Sequence, residues 1–368
     1  MHISSAKTFG GGERHFVDLC RGLTEKGHEV FAVLRPTNEW QERLKFLSSD
    51  NIFHSSIRNS FGIFSAKRVA NFVNRNKIDI IHAHVARDYI PASLACRISK
   101  EAKFVLTRHV LFPMKPFHRY ALTNVERAIA VSTAVEINLQ NIFPKRKISV
   151  IPNGIEIEYH SENKQKLREA FRSLHSIPSD ALLIGTVGEL KILKGQREFV
   201  LTANEIAKKF PNAHFVVVGK DNGINKPFRR ELKRLVKVFD LEKRFLFLDW
   251  IEDMSELFAA LDIFVSSSHS ESFGLAILEA MTNETAVVAT ETEGAKELLQ
   301  NSKTGMLVPI KDILEISKAV EGLLEQESER ERLGRNARVF AQANFSLGKM
   351  IEKTTDLYSE IIQITKQK

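Results

Sequence analysis

Residues 269–281 read HSESFGLAILEAM, in which small and polar residues give way to an apolar run with helical spacing. An apolar strand is predicted just before them, at 263–266, so the strand ends in small residues and a helix is predicted to begin near Phe273. A helix start presents unpaired backbone N–H groups, here from Gly274 onward, to an anion. The stretch therefore predicts a strand-to-helix unit with an anion site at its turn.

The alternation of short apolar strands with longer stretches of helical spacing recurs along the whole chain. Strands are predicted at 29–34, 78–83, 103–107, 127–131 and 148–151, and then at 182–187, 214–218, 244–248, 263–266, 286–289 and 306–308. Such alternation is typical of parallel sheets covered by helices. With 368 residues, about twice the usual size of one domain, the chain is expected to form two α/β domains.

The boundary between these domains is predicted at Ile151-Pro152-Asn153-Gly154, where turn residues end a strand and a polar stretch, 156–166, follows. The prediction is an N-terminal Rossmann-like domain at 1–153 and a C-terminal one at 154–345. After the second sheet is complete, the stretch 345–364 has apolar residues at helical spacing, at positions 350, 351, 357, 358, 361 and 362. Residues 346–368 are expected to form a closing helix that packs back toward the N-terminal domain.

The charge of the chain is unevenly distributed. Its formal net charge is +8, and the first 153 residues hold 23 Lys and Arg against 12 Asp and Glu, whereas the rest hold 30 against 33. A basic half-molecule attracts anionic partners such as phosphorylated glycans, anionic lipid headgroups or nucleic acid. A solvated basic surface that serves solubility alone explains the same excess.

Composition excludes several classes of protein. Apolar residues make up 43% and charged residues 27% of the sequence, as in an ordinary globular chain. The spacing of the two cysteines, Cys20 and Cys96, suggests neither a metal site nor a disulfide framework. The N-terminus lacks the pattern of a signal peptide, and no apolar run approaches about 18 residues. We expect a cytoplasmic protein, with any membrane contact peripheral and at the inner face.

Two further strand-to-helix turns have the composition of phosphate-binding loops. Thr8-Phe9-Gly10-Gly11-Gly12-Glu13 follows a short strand predicted at the start of the chain and precedes a helix predicted at 14–26. Residues 188–195, GELKILKG, follow the first strand of the second domain. Glycines let the backbone approach a ligand closely, and the helix start behind them offers free N–H groups to an anion that Lys194 could also meet. Tight turns and a solvated lysine are the alternatives.

Glu271 and Glu279 are eight residues apart, which on one helix corresponds to about 12 Å. A hydrolytic carboxylate pair lies roughly 5 to 10 Å apart, so this pair is better suited to hold two ends of one long ligand around a diphosphate. The alternative is that Glu271 complements the helix dipole and Glu279 is an exposed helix residue.

The two glutamates lie in a pattern that resembles the Glu-x7-Glu signature of glycosyltransferase family 4, the retaining GT-B enzymes that use nucleotide-activated sugars. Stretches similar to other patterns of the family follow in the expected order along nearly the whole chain, at 10–13, 79–84 (DIIHAH), 105–109 (VLTRH), 130–132, 150–154 (VIPNG), 188–195, 218–219 and 305–309 (GMLVP). The resemblance implies the GT-B fold, with two Rossmann-like parallel-sheet domains, an interdomain cleft and a C-terminal closing helix.

The resemblance also implies roles for individual residues. His109 and Glu271 are expected at the reacting sugar, where Glu271 holds sugar hydroxyls. The donor-binding residues that the resemblance implies are Gly11, Gly12, Lys194, Trp250, Ile251, Ser272, Phe273, Gly274, Leu275, Ala276 and Glu279. Those implied on the acceptor side are Glu13, Arg14, His84 and Arg108.

We expect no metal and no cofactor beyond the nucleoside-diphosphate sugar as co-substrate. Breaking the glycosidic bond places negative charge on the leaving phosphate, which cations and helix starts stabilise. His82 and His84 lack a carboxylate at ligand spacing and are expected to end a strand. His109 is the expected partner of the sugar, although a lone histidine at a strand end is often structural.

Two positions depart from the family patterns. Glu189 stands where family members usually carry an arginine that meets the diphosphate, so that either it turns away and Lys191 or Arg197 supplies the charge, or donor binding is weak. The usual Gly-Lys-Pro turn reads Asn283-Glu284-Thr285. An inactive relative is one alternative that these departures leave open.

The expected function is transfer of a sugar, with retention, to a hydroxyl of a glycan or lipid-linked acceptor in polysaccharide, lipopolysaccharide or glycolipid synthesis. Surfaces at 58–77 and 100–119 mix apolar and basic residues, which suits an anionic membrane or a lipid-linked glycan, unless they form a packed lid. A nucleotide-sugar epimerase or hydrolase is the alternative enzyme. A nucleic-acid partner is suggested only by the pI near 9.3, and without a base-reading motif we expect none.

Overall fold

The structure is a computed structural model that describes residues 1–56, 62–99, 101–157, 163–249, 251 and 254–366. The chain divides into two compact units. Unit 1 comprises Met1–Glu156 and Phe345–Lys368, and unit 2 comprises Ile157–Asn344.

Unit 1 is built on a seven-stranded parallel sheet. Its elements up to the last strand are β1 (His2–Ser4), α1 (Gly11–Glu25), β2 (Ala32–Leu34), β3 (Ile52–His54), α2 (Ile63–Arg75), β4 (Ile80–Ala83), α3 (Tyr89–Ser99), β5 (Lys103–Arg108), α4 (His118–Ala121), β6 (Val125–Ala130), α5 (Thr133–Leu139) and β7 (Ile148–Val150). The strand order is β3-β2-β1-β4-β5-β6-β7.

Unit 2 is built on a six-stranded parallel sheet. Its elements are α6 (Lys164–Leu174), β8 (Leu182–Val187), α7 (Gln196–Lys209), β9 (Ala213–Val218), α8 (Pro227–Val238), β10 (Phe245–Leu248), α9 (Met254–Ala260), β11 (Ile263–Ser266), α10 (Leu275–Thr282), β12 (Ala286–Thr290), α11 (Glu293–Leu298), β13 (Met306–Val308), α12 (Ile313–Glu325) and α13 (Glu327–Asn344). The strand order is β10-β9-β8-β11-β12-β13.

The last helix, α14 (Leu347–Lys366), belongs to unit 1. Its apolar face includes Met350, Ile351, Leu357 and Ile361, which are buried in the same core cluster as residues of α1. Isolated backbone pairing between Ile155 and Ser346 joins the two segments of unit 1 just before this helix. Burial of the apolar stripe fixes the helix on the unit, as expected for an amphipathic surface helix.

The prediction of two parallel-sheet α/β domains is confirmed, and several element boundaries differ. The strand β3 was missed, because three residues at a sheet edge that end in an exposed histidine carry little pattern. The helix predicted at 14–26 begins earlier, at Gly11, so two of the glycines form its first turn. Helix α6 begins at Lys164, inside the stretch predicted as linker.

The strand order of each sheet reverses once, and these points locate the candidate sites. In unit 1 the reversal lies between β1 and β4, and in unit 2 between β8 and β11. Ligands of open α/β sheets bind beyond the carboxyl ends of the strands at such a reversal. The glycine-containing turns at 8–13, 188–195 and 267–274 all follow strands that flank one of the two reversals.

Of the helices in the described part of the chain, none combines the length and the apolarity needed to span a bilayer.

Candidate functional site

Two loops of unit 2 are joined directly at the reversal of the sheet. The Ser267 hydroxyl donates to the carbonyl of Gly195 (2.6 Å), and the backbone N–H of His269 donates to the carbonyl of Leu193 (2.9 Å). Gly195 has φ of +68°, and a Cβ there would lie 1.8 Å from the carbonyl oxygen of Ser267. Only glycine fits both this left-handed conformation and this close approach, so the contact between the two loops requires glycine at position 195.

The joined loops bring a predicted cation and a predicted carboxylate into contact. The Nζ of Lys194 lies 2.5 Å from Oε1 of Glu271, and the Ser268 hydroxyl donates to the same oxygen at 2.9 Å. The lysine side chain is 26% exposed and that of Glu271 is 13% exposed. Both charges are therefore paired at a partly buried surface that a polar ligand can reach.

Helix α10 begins directly behind this pair. Its N-cap is Gly274, with φ of +99° and no side-chain cap, so the first-turn N–H groups of the helix lack a side-chain acceptor from the N-cap residue. The helix was predicted to begin near Phe273, and it begins two residues later, at Leu275; Phe273 is buried before it. Ser272 and Phe273 thus precede the cap, and Leu275 and Ala276 are the first two helical residues.

The second glutamate of the pattern, Glu279, is only 8% exposed. The interpretation of Glu279 as an exposed helix residue is therefore wrong. Glu271 precedes the N-cap, so the two glutamates do not share one helix axis and the separation of about 12 Å expected for eight helical residues does not apply.

Glu189, where an arginine was expected, is paired within its own unit. Its carboxylate accepts from Nζ of Lys191 (2.6 Å) and from the side-chain amide of Asn222 (3.0 Å). Burial raises the pKa of Glu189, but the two hydrogen bonds and the charges of Lys191 and Lys194 together outweigh burial, and the pKa lies below its ordinary value. Lys191 therefore neutralises Glu189, whereas Arg197 lies 3.6 Å from Glu231 and has its own counter-charge.

Of the two residues predicted to line the nucleotide base, the structure describes only Ile251. Trp250 lies outside the described residues. Ile251 is half-buried and follows β10, one of the two edge strands of the sheet of unit 2.

In unit 1 the glycine turn is the beginning of α1. Gly10 is the N-cap, and Gly11 and Gly12 are the first two helical residues, with a Cβ on Gly12 placed 3.8 Å from the ring of His109. Burial raises the pKa of Glu13, although backbone N–H groups of Glu13 and Gly10 hydrogen-bond to its carboxylate and oppose the shift. Glu13 thus stabilises the helix start in the manner of a capping box.

The other two acceptor-side residues with charge have protein partners. Nε of Arg14 lies 3.6 Å from Asp18 on the next turn of α1. Arg108 is 5% exposed, and its guanidinium donates to the carbonyl of Phe112, so it fixes the loop after β5. Both remain candidates for acceptor contact, but the structure gives each a structural role as well.

The largest difference from the sequence analysis is a cluster of five histidines in unit 1, of which four are buried and one, His109, is partly exposed. Its members are His2, His15, His82, His84 and His109, which come from β1, α1, β4 and the residues that follow β4 and β5. The ring centroids of His15 and His109 are 4.7 Å apart, and those of His84 and His109 are 5.8 Å apart. The expectation that no metal-like cluster exists considered local spacing only, whereas these residues come from separate elements.

Burial keeps the whole histidine cluster neutral. Desolvation lowers the pKa of His15 to about 4, and the nearby Asn153 side chain partly opposes that shift. Neither ring nitrogen of His15 has a hydrogen bond of normal geometry among the described residues. For His2, His82, His84 and His109 burial lowers the pKa well below its ordinary value, and the neighbouring histidines add to the shift.

Asp88 was not predicted as a site residue, yet it holds the turn after β1. Its Oδ2 accepts from the backbone N–H of Ser5 (2.8 Å), and its Oδ1 is buried without a hydrogen-bond partner among the described residues. Burial raises the pKa of Asp88 to about 6. A single aspartate after a strand carries no sequence signal that separates it from a surface residue.

Two family models match the chain, one for each unit. The model described as Glycosyltransferase Family 4 matches residues 9–159, and the model described as Glycosyl transferases group 1 matches residues 168–340. The chain is a glycosyltransferase, and its first unit matches the family 4 model. The GT-B fold of this glycosyltransferase agrees with that assignment.

Several relatives of this glycosyltransferase match over nearly its whole length. The lipopolysaccharide core biosynthesis glycosyltransferase LpsE of Rhizobium meliloti is 24% identical over 96% of this chain and 96% of the relative. A glycosyltransferase structure from Rickettsia africae has a TM-score of 0.86 at 24% identity, covering 98% of this chain and 97% of that one. Anabaena HepE, solved with UDP-glucose, has a TM-score of 0.86 at 19% identity and covers 98% of both chains.

Proposed function

We propose that this glycosyltransferase transfers a sugar, with retention and without a bound metal, from a nucleoside-diphosphate sugar to a hydroxyl of a glycan or lipid-linked acceptor. The observation that carries the proposal is the pair of Lys194 and Glu271 at the start of α10. A diphosphate needs a cation and a helix start, and sugar hydroxyls need a carboxylate acceptor. This one edge of unit 2 offers all three.

The donor site needs no metal because its charge is supplied by the chain. Lys194 pairs with the diphosphate, the first-turn N–H groups of α10 add partial positive charge, and both stabilise the leaving phosphate as negative charge develops. Glu189 does not repel that phosphate, since Lys191 already neutralises its carboxylate. The arginine of the family pattern is replaced by a Glu189–Lys191 pair with no net charge.

The remaining roles rest on family membership. Glu271 holds hydroxyls of the donor sugar, Glu279 the ribose, and His109 the reacting sugar. Retention of configuration is inferred from the resemblance of the Glu271 to Glu279 segment to the signature of the retaining enzymes. The solved complex of Anabaena HepE with UDP-glucose supports a UDP-sugar as the first donor to test.

The acceptor is proposed to be a glycan or lipid-linked glycan at the inner face of the membrane. The relative LpsE acts in lipopolysaccharide core biosynthesis. In unit 1, Phe112 is 65% exposed and Tyr120 is 78% exposed, in a segment that also contains Lys115 and Arg119. Exposed aromatic residues beside basic ones favour contact with an anionic lipid surface.

The test is a thermal-shift screen with UDP, GDP and their sugars, followed by a transfer assay. A ligand that binds only the folded state raises the Tm, so the true donor and its nucleoside diphosphate are expected to stabilise the protein. The anomeric configuration of the product, read by NMR, tests retention, and equal rates with and without EDTA test metal independence. The donor site assignment fails if no nucleotide stabilises the protein, and release of free sugar at the full turnover rate identifies a hydrolase.

A further inference from the structure

We propose that His15, His84 and His109 bind a divalent transition metal ion such as Zn²⁺, and that the bound ion inhibits sugar transfer. The binding half stands on the geometry of unit 1 alone. The inhibition half rests on the proposed function, because it requires His109 to contact the reacting sugar.

The three side chains converge on one point. They come from α1 and from the residues that follow β4 and β5, and their ring nitrogens include one atom from each side chain that all lie within 4.8 Å of one another. Nitrogen ligands about 2.0 to 2.1 Å from a tetrahedral Zn²⁺ are roughly 3.4 Å apart. Small side-chain rotations therefore close the three rings around an ion.

A second observation points to a ligand at this place. His15 and His84 are each only 4% exposed, yet neither ring nitrogen of His15 and not the Nδ1 of His84 has a hydrogen-bond partner among the described residues. Buried polar atoms are normally satisfied by protein, water or an ion. A metal ion bound by lone pairs of these rings satisfies one nitrogen of each.

The neighbouring histidine prepares His84 for this role. Nε2 of His84 lies 3.1 Å from Nδ1 of His2, and when His84 donates its Nε2 proton to His2, its Nδ1 keeps a free lone pair. Metal-bound histidines commonly donate their second N–H in this way, which fixes the tautomer and the ring orientation.

A second trio, His2, His82 and His84, also has ring nitrogens close together but is less suited to bind an ion. Nδ1 of His82 lies 2.5 Å from the Tyr358 hydroxyl and its Nε2 lies 2.7 Å from the Thr107 hydroxyl, so both of its nitrogens are engaged. The geometry thus selects the trio that contains His109.

Three imidazole ligands favour Zn²⁺, Co²⁺, Ni²⁺ or Cu²⁺ over the oxygen-seeking Mg²⁺ and Ca²⁺. Three protein ligands leave a fourth position for water, as in open zinc sites. The His109 nitrogen that bonds the ion cannot also hydrogen-bond to the sugar, and the ion fixes the orientation of the ring, so the bound ion is expected to inhibit transfer.

The binding test titrates Co²⁺ into the full chain after EDTA treatment and follows the visible absorption of tetrahedral cobalt. One equivalent is expected to bind, Zn²⁺ is expected to displace it, and Zn²⁺ is expected to raise the Tm of the wild type. His15→Asn and His84→Asn are expected to weaken binding about tenfold or more. The matched control His28→Asn, at an exposed histidine of unit 1, is expected to bind as the wild type does.

Absence of cobalt binding and of a Zn²⁺-induced Tm shift in the wild type overturns the site without reference to variants that could misfold. The inhibition test measures the transfer rate with Zn²⁺ and divides it by the rate with EDTA. This ratio is expected to be well below one in the wild type and near one in His15→Asn. Stimulation by Zn²⁺ overturns the inhibition. If cobalt binds but no donor supports transfer, the metal site stands and the proposed function fails.

Discussion

Nζ of Lys194 lies 2.5 Å from Oε1 of Glu271, so the cation of one loop in unit 2 is neutralised by the carboxylate of the other. Both side chains are partly buried. A bound diphosphate must therefore compete with Glu271 for the ammonium group, and Glu271 then has an oxygen free for a sugar hydroxyl. The two residues are predicted to contribute to different parts of donor recognition.

Replacing the two residues is expected to separate these contributions. Lys194→Ala is expected to weaken UDP binding about tenfold to a hundredfold through the loss of charge-assisted hydrogen bonds, as measured by isothermal titration calorimetry. Glu271→Gln is expected to bind UDP nearly as the wild type does but to lower kcat roughly a hundredfold. Lys208→Ala, which removes an exposed lysine paired with Glu205, is the control. Unchanged UDP affinity in Lys194→Ala would contradict the donor site.

Gly195 is predicted to be the residue that keeps the two loops together. In Gly195→Ala the new Cβ would lie 1.8 Å from the carbonyl oxygen of Ser267 at a positive φ, so a loss of about 1–3 kcal/mol in the free energy of unfolding is expected, with weaker UDP binding. Gly322→Ala, in α12 with no atom within 4 Å of the new Cβ, is expected to stabilise by about 0.5–1 kcal/mol. Urea denaturation of the wild type and both variants measures whether Gly195→Ala lowers and Gly322→Ala raises the free energy of unfolding. Equal stability of the two variants would contradict the role given to Gly195.

The sequence predicted the two strand–turn–helix units around 188–195 and 267–274 well because each is a local pattern. A strand, a turn with glycine and a helix follow one another in sequence at 182–209 and again at 263–282, so periodicity and turn composition suffice to place Lys194 and Glu271 at helix starts. The sequence did not predict that Lys194 and Glu271 touch. That contact depends on the pairing of β8 with β11, which no local pattern encodes.

The site in unit 1 was less predictable for the same reason. Asp88 and His15 carry no local signal, and their environment arises only when β1, β4 and β5 pair in one sheet. Short elements and helix ends were also hard to predict from the sequence. The strand β3 was missed because three residues at a sheet edge give weak periodicity, and the early start of α1 was missed because glycine in a first helical turn does not favour a helix.

Asp88 is predicted to make stability fall as pH rises from about 4 to about 6. Its folded-state pKa of about 6 exceeds its unfolded value near 3.8, so the folded state binds more protons in that window and loses up to about 3 kcal/mol as the carboxyl ionises. Asp88→Asn removes the titration. The difference in free energy of unfolding between the variant and the wild type, measured in urea, is expected to increase across this window and then level off. A difference independent of pH would show that Asp88 does not titrate there.

His15 is predicted to act in the opposite direction in an overlapping window. Burial lowers its pKa to about 4, below the unfolded value of 6.5, so the unfolded state binds more protons and stability falls as pH drops from 6.5 toward 4. The loss is on the order of 3 kcal/mol if the ring stays neutral throughout. His15→Gln is expected to flatten this dependence in EDTA-containing buffer, whereas His28→Gln, at an exposed position, is expected to leave it unchanged. A wild-type profile that His15→Gln does not alter would assign the effect to the other buried histidines.

The segment around Phe112 is predicted to bind anionic membranes. Phe112→Ser combined with Tyr120→Ser removes two exposed aromatic side chains beside Lys115 and Arg119, and is expected to lower binding to phosphatidylglycerol vesicles about tenfold or more. Leu314→Ser is the control, because Leu314 on α12 is 66% exposed, as Phe112 is at 65%, but is followed by an acidic residue. Binding of the wild type should weaken as salt rises, since the basic residues act through screened charge. Equal sedimentation with phosphatidylglycerol and phosphatidylcholine vesicles would exclude an electrostatic contact, and loss of binding in Leu314→Ser would place the contact elsewhere.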